Sequence, residues 1–111
     1  MTLFETQVKF ASLIPLLISK AFELGFQVTL GDAYRDPRVH GEFGVKQGYG
    51  HPKSNHKRRL AIDLNLFKNG KYLTTTEDHQ PLGEYWESLG GTWGGRFKDS
   101  NHYSWEYEGI K

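Results

Sequence analysis

The stretch SNHKRRLAIDLNLF, residues 54–67, joins a polar loop that carries one histidine to a segment of alternating side chains. The even-numbered positions of 60–66 are all aliphatic, and Asp63 falls on the opposite face. This period of two is typical of a β-strand. A carboxylate fixed on a strand beside the small Ala61 can hold a metal ion or a buried cation. His56 lies seven residues before Asp63, so the loop can fold back toward it.

A second alternating segment lies near the C-terminus, at residues 102–107, where polar residues alternate with aromatic ones. It predicts a strand with one polar face that begins at His102. If the two strands are neighbours, His102 and Asp63 lie within side-chain reach on the same face. Two imidazoles and one carboxylate suit zinc at a catalytic site, where three protein ligands leave one position for water. His51, five residues before His56, remains a rival ligand.

The composition narrows the classes of function. A chain of 111 residues has room for one modest core, so we expect residues 1–111 to form a single domain and a monomer. With no cysteine, any metal must be held by His, Asp or Glu. The formal net charge is only +1, and the basic cluster at 53–59 lacks interleaved aromatic residues. We therefore favour a solvated or substrate-facing rim over a nucleic-acid site.

The N-terminal segment predicts a core helix. Thr2 and Glu5 form a capping box, apolar residues recur at spacings of three and four, and Gly25 suits the turn that ends a helix. The recurring residues are Val8, Ala11, Ile14, Leu17, Ala21 and Leu24. Pro15 is expected to kink it. The apolar part is short, and no small-residue cleavage site follows. We therefore favour a core helix over a signal peptide or a membrane anchor, and expect no stable membrane insertion.

Further segments complete an α+β architecture. Residues 26–30 alternate as a half-buried strand, and Asn69-Gly70 predicts a tight hairpin that joins strand 60–67 to strand 72–73. With segment 102–107 these strands form a small antiparallel sheet, backed by the N-terminal helix and carrying the metal site on one face.

The remaining segments are a helix and a loop. Pro81 is expected to begin a short helix that ends at Gly90, which leaves His79 in an exposed polar connection. Residues 36–53 show no sustained apolar period and predict a long loop. Four aromatic residues are expected to complete the core and the cleft wall: Trp86, Trp93, Phe97 and Trp105.

Arg35 follows the first predicted strand, at a loop position that often carries function. Its guanidinium offers two parallel donors to a substrate carboxylate or to an oxyanion formed during hydrolysis. A surface salt bridge with Asp32 or Asp36 is the alternative, and the sequence favours neither.

Two spaced motifs carry a resemblance to a known family. Residues 54–63 read Ser-x-His-x-x-x-x-Ala-x-Asp, and residues 93–102 read Trp-Gly-Gly-x-Phe-x-Asp-x-x-His, with Tyr34-Arg35 upstream. Together they resemble the zinc D-alanyl-D-alanine peptidase family. The pattern is most similar to the branch of bacteriophage L-alanyl-D-glutamate endopeptidases, endolysins that cut the stem peptide of peptidoglycan. The resemblance spans about residues 31–107.

The resemblance implies a fold, a cofactor and a set of roles. The fold would be the D-alanyl-D-alanine peptidase/hedgehog-like fold, and the cofactor Zn²⁺. Asp99 would be the general base, although by itself it can also be a turn-forming residue before a strand. Arg35 would bind substrate or stabilise the oxyanion. The implied zinc ligands are His56, Asp63 and His102, and the expected substrate contacts are Ser54, Tyr34 and Trp93.

Three functions follow as expectations. The first is a zinc endopeptidase that cuts the peptidoglycan stem peptide at the L-alanyl-D-glutamate bond, as a phage endolysin in host cell lysis. The second is a D-alanyl-D-alanine carboxypeptidase with the same site, and the third is a non-catalytic zinc-binding or wall-binding module. With no predicted signal peptide, an endolysin would stay in the host cytoplasm until a membrane-permeabilising protein let it reach the periplasm and cell wall.

Two positions depart from the family pattern. Arg59 stands where the family usually has glycine, and Tyr103-Ser104 stands where Phe-Glu is often found. We expect both positions to line or support the cleft and to affect substrate fit.

Overall fold

The computed structural model describes residues 1–111, beginning with helix α1 (Leu3–Glu23). The predicted capping box is present, because the Thr2 side chain accepts from the Glu5 amide and the Glu5 carboxylate accepts from the Thr2 amide. Leu24 caps the C-terminus of the helix, and Gly25 adopts φ +90°. It continues through Pro15. No helix in the structure is both long enough and apolar enough to cross a bilayer.

The buried face of α1 differs in part from the expected one. Leu17 and Ala21 are fully buried as predicted, but Val8 is 53% exposed and Phe10 takes its place in the core. Phe10 packs edge-on against Trp86, at 5.9 Å between ring centroids. The helix therefore turns Phe10, and not Val8, toward the core.

Five short strands form one open antiparallel sheet: β1 (Gln27–Leu30), β2 (Ala61–Lys68), β3 (Lys71–Tyr72), β4 (Thr92–Trp93) and β5 (His102–Ser104). The strand order is β1-β2-β5-β4, and β3 pairs with β2. The predicted hairpin is confirmed, with positive φ at both Asn69 and Gly70. β4 was not predicted, and β5 ends at Ser104, three residues earlier than expected.

Two further α-helices and two 3₁₀ turns connect the strands: α2 (Pro37–His40), the His56 turn (Asn55–Arg58), α3 (Thr76–Ser88) and the Gly94 turn (Gly94–Phe97). The prediction that Pro81 begins a helix was wrong, because α3 starts one turn earlier, where the Thr75 hydroxyl accepts from the Asp78 amide. His79 therefore lies in the helix and is 2% exposed, not solvent-exposed as expected. Its Nε2 lies 3.1 Å from the Leu73 carbonyl oxygen.

The core lies between the sheet and the pair of helices α1 and α3. Trp86 on α3 is fully buried, and its indole N–H donates to the Ser104 carbonyl at 2.9 Å. Trp93 on β4 packs directly beneath Gly83, where any larger residue would collide with the indole ring. These contacts fix α3 to β4, the edge strand, and to β5, the neighbouring strand that carries His102.

Candidate active site

His56 is positioned by the turn that carries it. The Ser54 hydroxyl caps this turn by accepting from the His56 amide at 3.2 Å, and the imidazole is 1% exposed. His56 Nδ1 lies 3.4 Å from the Ala33 carbonyl oxygen, to which it can donate a proton. A hydrogen bond of this kind fixes the tautomer of a metal-binding histidine. The other ring nitrogen, Nε2, then faces Asp63 Oδ1 at 3.2 Å.

Asp63 and His102 meet because β2 and β5 pair in register. Asp63 lies directly opposite His102, so both side chains leave the same face of the sheet. His102 Nδ1 lies 3.6 Å from Asp63 Oδ1. Burial raises the pKa of Asp63, but contacts with His102 and His56 outweigh that effect and hold it at about 2. Asp63 is therefore ionised at neutral pH.

The three side chains form a group whose ligand atoms all lie within 4.8 Å of one another, called here the His-Asp-His cluster (His56, Asp63, His102). His56 Nε2 and Asp63 Oδ1 are buried and have no hydrogen-bond partner. Buried polar atoms are seldom left unpaired, so these two fit a cation held between them. Tetrahedral zinc, with bonds of 2.0–2.1 Å, needs ligand atoms about 3.3 Å apart, and the observed separations of 3.2 and 3.6 Å suit it.

Asp99 lies beside the cluster, at the end of the Gly94 turn. Its Oδ2 is 3.6 Å from His102 Nδ1, and its side chain is 52% exposed. The turn brings Asp99 close because Gly94 has no side chain, and a Cβ there would collide with the Asp99 carbonyl and the His102 Cβ. Asp99 is thus the exposed carboxylate next to the cluster, as a proton acceptor for water requires.

Arg35 both forms a salt bridge and lines the cleft. Its Nε donates to Asp32 Oδ2 at 3.3 Å, so the expected ion pair is present. Its Nη1 donates to the Ser54 hydroxyl at 3.1 Å, and the guanidinium lines the same cleft as the cluster. A hydrogen bond from Tyr49 lowers the pKa of Asp32, burial opposes this, and Arg35 adds to the lowering. Asp32 therefore stays charged beside the arginine.

The cluster forms the floor of a cleft of about 550 Å³. Five of the predicted site residues line it, namely Arg35, Ser54, His56, Asp99 and His102. Phe97, expected in the core or the cleft wall, lines it too, whereas Asp63 does not. Sequence reasoning missed a wall formed by the last three residues. Of the basic residues at 53–59, only Lys53 lines the cleft, and Lys57 is buried. The residues that complete the lining are Gly50, His51, Lys53, Asn55, Gly109, Ile110 and Lys111.

His51 lines the cleft but lies outside the cluster. Its Nδ1 accepts from the Lys53 amide at 3.0 Å. His40 and His79 are also outside the cluster. The cluster therefore has three protein ligand residues and no fourth, which is the pattern of catalytic rather than structural zinc sites.

Two expected substrate contacts lie elsewhere. Trp93 is 1% exposed, and its indole N–H donates to the Ser100 carbonyl at 2.7 Å, so it supports the floor from beneath. Tyr34 lies in a separate apolar groove under the Arg59 guanidinium, which is 3.9 Å from the ring centroid. Neither residue lines the cleft.

Arg59 was also expected to line or support the cleft; its side chain lines the groove that holds Tyr34 instead of the cleft, and its backbone caps the His56 turn. Its φ of +60° explains why glycine suits the position, since the left-handed conformation caps the His56 turn. Tyr103 and Ser104 are fully buried, so they support the floor without touching a ligand in the cleft. Burial raises the pKa of the Tyr103 hydroxyl.

The comparisons with known proteins agree with this geometry. A family model described as D-alanyl-D-alanine carboxypeptidase matches residues 47–105. The matched segment includes the whole His-Asp-His cluster, Ser54 and Asp99, whereas Arg35 lies before it. Among curated proteins, no match reaches significance.

Proposed function

Because the chain belongs to the D-alanyl-D-alanine carboxypeptidase family, a metallopeptidase family, we propose that it is a zinc enzyme that cleaves peptidoglycan stem peptides. One observation carries the proposal. The ligand atoms of the His-Asp-His cluster converge within 4.8 Å at the floor of a cleft that Asp99 and Arg35 also line. A metal-binding group, an exposed carboxylate and a fixed cation together provide the groups that metal-assisted amide hydrolysis needs.

The fit of the cluster supports zinc as its metal. His56 would contribute Nε2, Asp63 one carboxylate oxygen, and His102 Nδ1, the ring nitrogen that faces Asp63. When bound, zinc supplies the Lewis acidity that activates water and polarises the scissile carbonyl. Two neutral imidazoles and one carboxylate leave a net positive charge for this purpose.

Side chains of the protein transfer the proton and bind the substrate. Asp99 accepts the proton of the attacking water and returns it to the leaving amine when the C–N bond breaks. Arg35 donates hydrogen bonds either to a carboxylate of the stem peptide or to the oxygen that gains negative charge during the attack. Lys53 adds positive charge on the same side of the cleft.

The description of the matched family favours removal of a terminal D-alanine from a D-alanyl-D-alanine end. The two spaced motifs, with their resemblance to phage endopeptidases, favour cleavage of the L-alanyl-D-glutamate bond. An endolysin of that kind would accumulate in the host cytoplasm and then cleave the cell wall during host cell lysis. These two bonds are the candidates for the test.

The test is mass spectrometry of the products released from purified peptidoglycan, with and without a zinc chelator. Chelator-sensitive loss of terminal D-alanine would support the carboxypeptidase, whereas fragments with a new D-glutamate amino terminus would support the endopeptidase. Asp99→Asn should reduce this release at least about a hundredfold, and Glu106→Gln is the matched control because Glu106 is exposed and pairs with no other side chain. No products from the folded, zinc-loaded protein would refute both and favour a wall-binding module.

A further inference from the structure

The Arg35 guanidinium is fixed on three of its sides. Nε donates to Asp32 and Nη1 donates to Ser54, and the side chain is only 13% exposed. The backbone of Gly50, with φ +92°, lies so close that a Cβ there would press on Nη1. Nη2 makes no hydrogen bond within the protein. The arginine therefore keeps one pair of donors free, in a side chain that lines the cleft.

Tyr49 contacts this arrangement twice. Its hydroxyl donates to Asp32 Oδ2 at 2.6 Å, the same oxygen that accepts from Arg35 Nε. Its ring lies under the guanidinium, with 5.1 Å from the Arg35 carbon Cζ to the ring centroid. A short O–H···O⁻ hydrogen bond is among the stronger ones in proteins. Tyr49 thus fixes both the carboxylate that orients Arg35 and one face of the guanidinium.

Two contacts hold the loop that carries Tyr49 next to Arg35. The His40 ring packs edge-on against the Tyr49 ring, with 4.6 Å between the ring centroids. His40 itself is only 9% exposed. Farther back, the buried Lys57 ammonium donates to the Val45 carbonyl at 2.7 Å. The tyrosine ring therefore lies between His40 and Arg35.

From this geometry we propose that Tyr49 is a positioning residue of the site, acting on substrate only through Asp32 and Arg35. The hydroxyl keeps the Asp32 carboxylate turned toward Nε, and Nη2 then points its donors to the substrate. The proposal rests on the proposed function only for what Arg35 binds. The effect on Arg35 itself is independent of any substrate.

Tyr49→Phe is the first test because it removes the hydroxyl and keeps the ring. Tyr49 is 58% exposed, so the change leaves no buried gap and should leave the melting temperature unchanged. We expect kcat/KM for a stem peptide to fall roughly tenfold, since small misplacement of a positioned group can cost up to about a hundredfold. Tyr72→Phe is the control, because Tyr72 is exposed and its hydroxyl has no partner.

A double-mutant cycle separates positioning from a direct role. In an Arg35→Ala background, Tyr49→Phe should change kcat/KM by less than about twofold if Tyr49 acts only through Arg35. An equal loss in both backgrounds would overturn the proposal. Asp32→Asn, which keeps the shape and removes the charge, should reproduce the loss seen for Tyr49→Phe.

The second readout needs no activity. The Nε–H resonance of Arg35 in an NMR spectrum should shift and exchange faster with solvent in Tyr49→Phe, and should be unchanged in Tyr72→Phe. An unmoved Arg35 resonance would refute the positioning role even if activity falls. Should the wild-type protein cleave no stem peptide, the proposed function fails, and the NMR comparison still decides the role of Tyr49.

Discussion

The floor and the walls of the cleft are held together in different ways. The floor is the His-Asp-His cluster, where Asp63 and His102 face each other because main-chain pairing aligns β2 with β5. The walls are the loop at 36–54 and the C-terminal segment at 105–111, which lack regular pairing with the sheet. Main-chain pairing tolerates most substitutions, whereas the walls depend on individual side chains.

The side chains that hold the walls come from the His56 turn. Lys57 donates to the Val45 and Glu42 carbonyls of the loop at 2.7 and 3.3 Å. Asn55 donates to the Ile110 and Trp105 carbonyls of the C-terminal segment at 2.9 and 3.2 Å. The same short turn that presents one cluster histidine therefore ties down both walls. Substitutions should separate metal binding in the floor from substrate fit in the walls.

The largest effect is expected in the floor. His102→Ala removes one of the three proposed zinc ligands, so we expect loss of bound zinc and a fall in turnover of more than about a thousandfold. Metal content by mass spectrometry and peptide hydrolysis measure the two losses. His51→Ala is the control, because His51 lines the cleft outside the cluster and should leave the metal content unchanged. Zinc loss in His51→Ala would make His51 a ligand.

Asp99→Asn should lower the rate of hydrolysis without removing the metal from the floor. Its carboxylate is half exposed and lies 3.6 Å from His102 Nδ1, so we expect zinc content to remain. Turnover should fall between about a hundredfold and ten-thousandfold, as expected for loss of a general base. Metal analysis and kinetics on the same preparation measure both. An active Asp99→Asn enzyme with full zinc content would reassign the base.

The sequence predicted the floor better than the walls, for a physical reason. Alternation and two spaced motifs placed Asp63 and His102 on facing strands, because strand periodicity is a local property of the chain. The Gly109–Lys111 wall depends on Asn55 reaching across more than fifty positions. A side-chain contact of that range leaves no periodic signal in the sequence.

The errors in the elements have local causes. Pro81 predicts the first residue of a helix, yet the Thr75 cap and the acidic pair Glu77-Asp78 are the better signal for the start of α3. β4 has two residues, too few to show alternation. The left-handed backbone of Arg59, φ +60°, does not show in a sequence that has no glycine there.

In the walls, Lys57→Met should alter substrate fit more than metal binding. Lys57 is 8% exposed, and the hydrogen bonds of its ammonium group hold the loop that carries Tyr49. Unpairing the two carbonyls should lower the free energy of unfolding by ~1–3 kcal/mol. We expect KM to rise while zinc content stays the same. Urea unfolding and steady-state kinetics measure the changes, with the exposed Lys71→Met as control, and a loss of zinc would mean that walls and floor are coupled.

The smallest effect is the pH dependence of the metal-free protein. The pKa of Asp63 is about 2 in the folded state, below the ordinary 3.8, so folding disfavours its protonation. Its contribution to stability is therefore complete above about pH 4 and is lost as the pH falls toward 2, because the unfolded chain binds the proton first. Urea unfolding of chelator-treated protein between pH 5 and 2, compared with Asp63→Asn, measures this contribution. The plots of the free energy of unfolding against pH should differ in slope between the two proteins only from about pH 4 to about pH 2. Parallel plots throughout would mean that the two histidines do not stabilise the Asp63 carboxylate when the metal is absent.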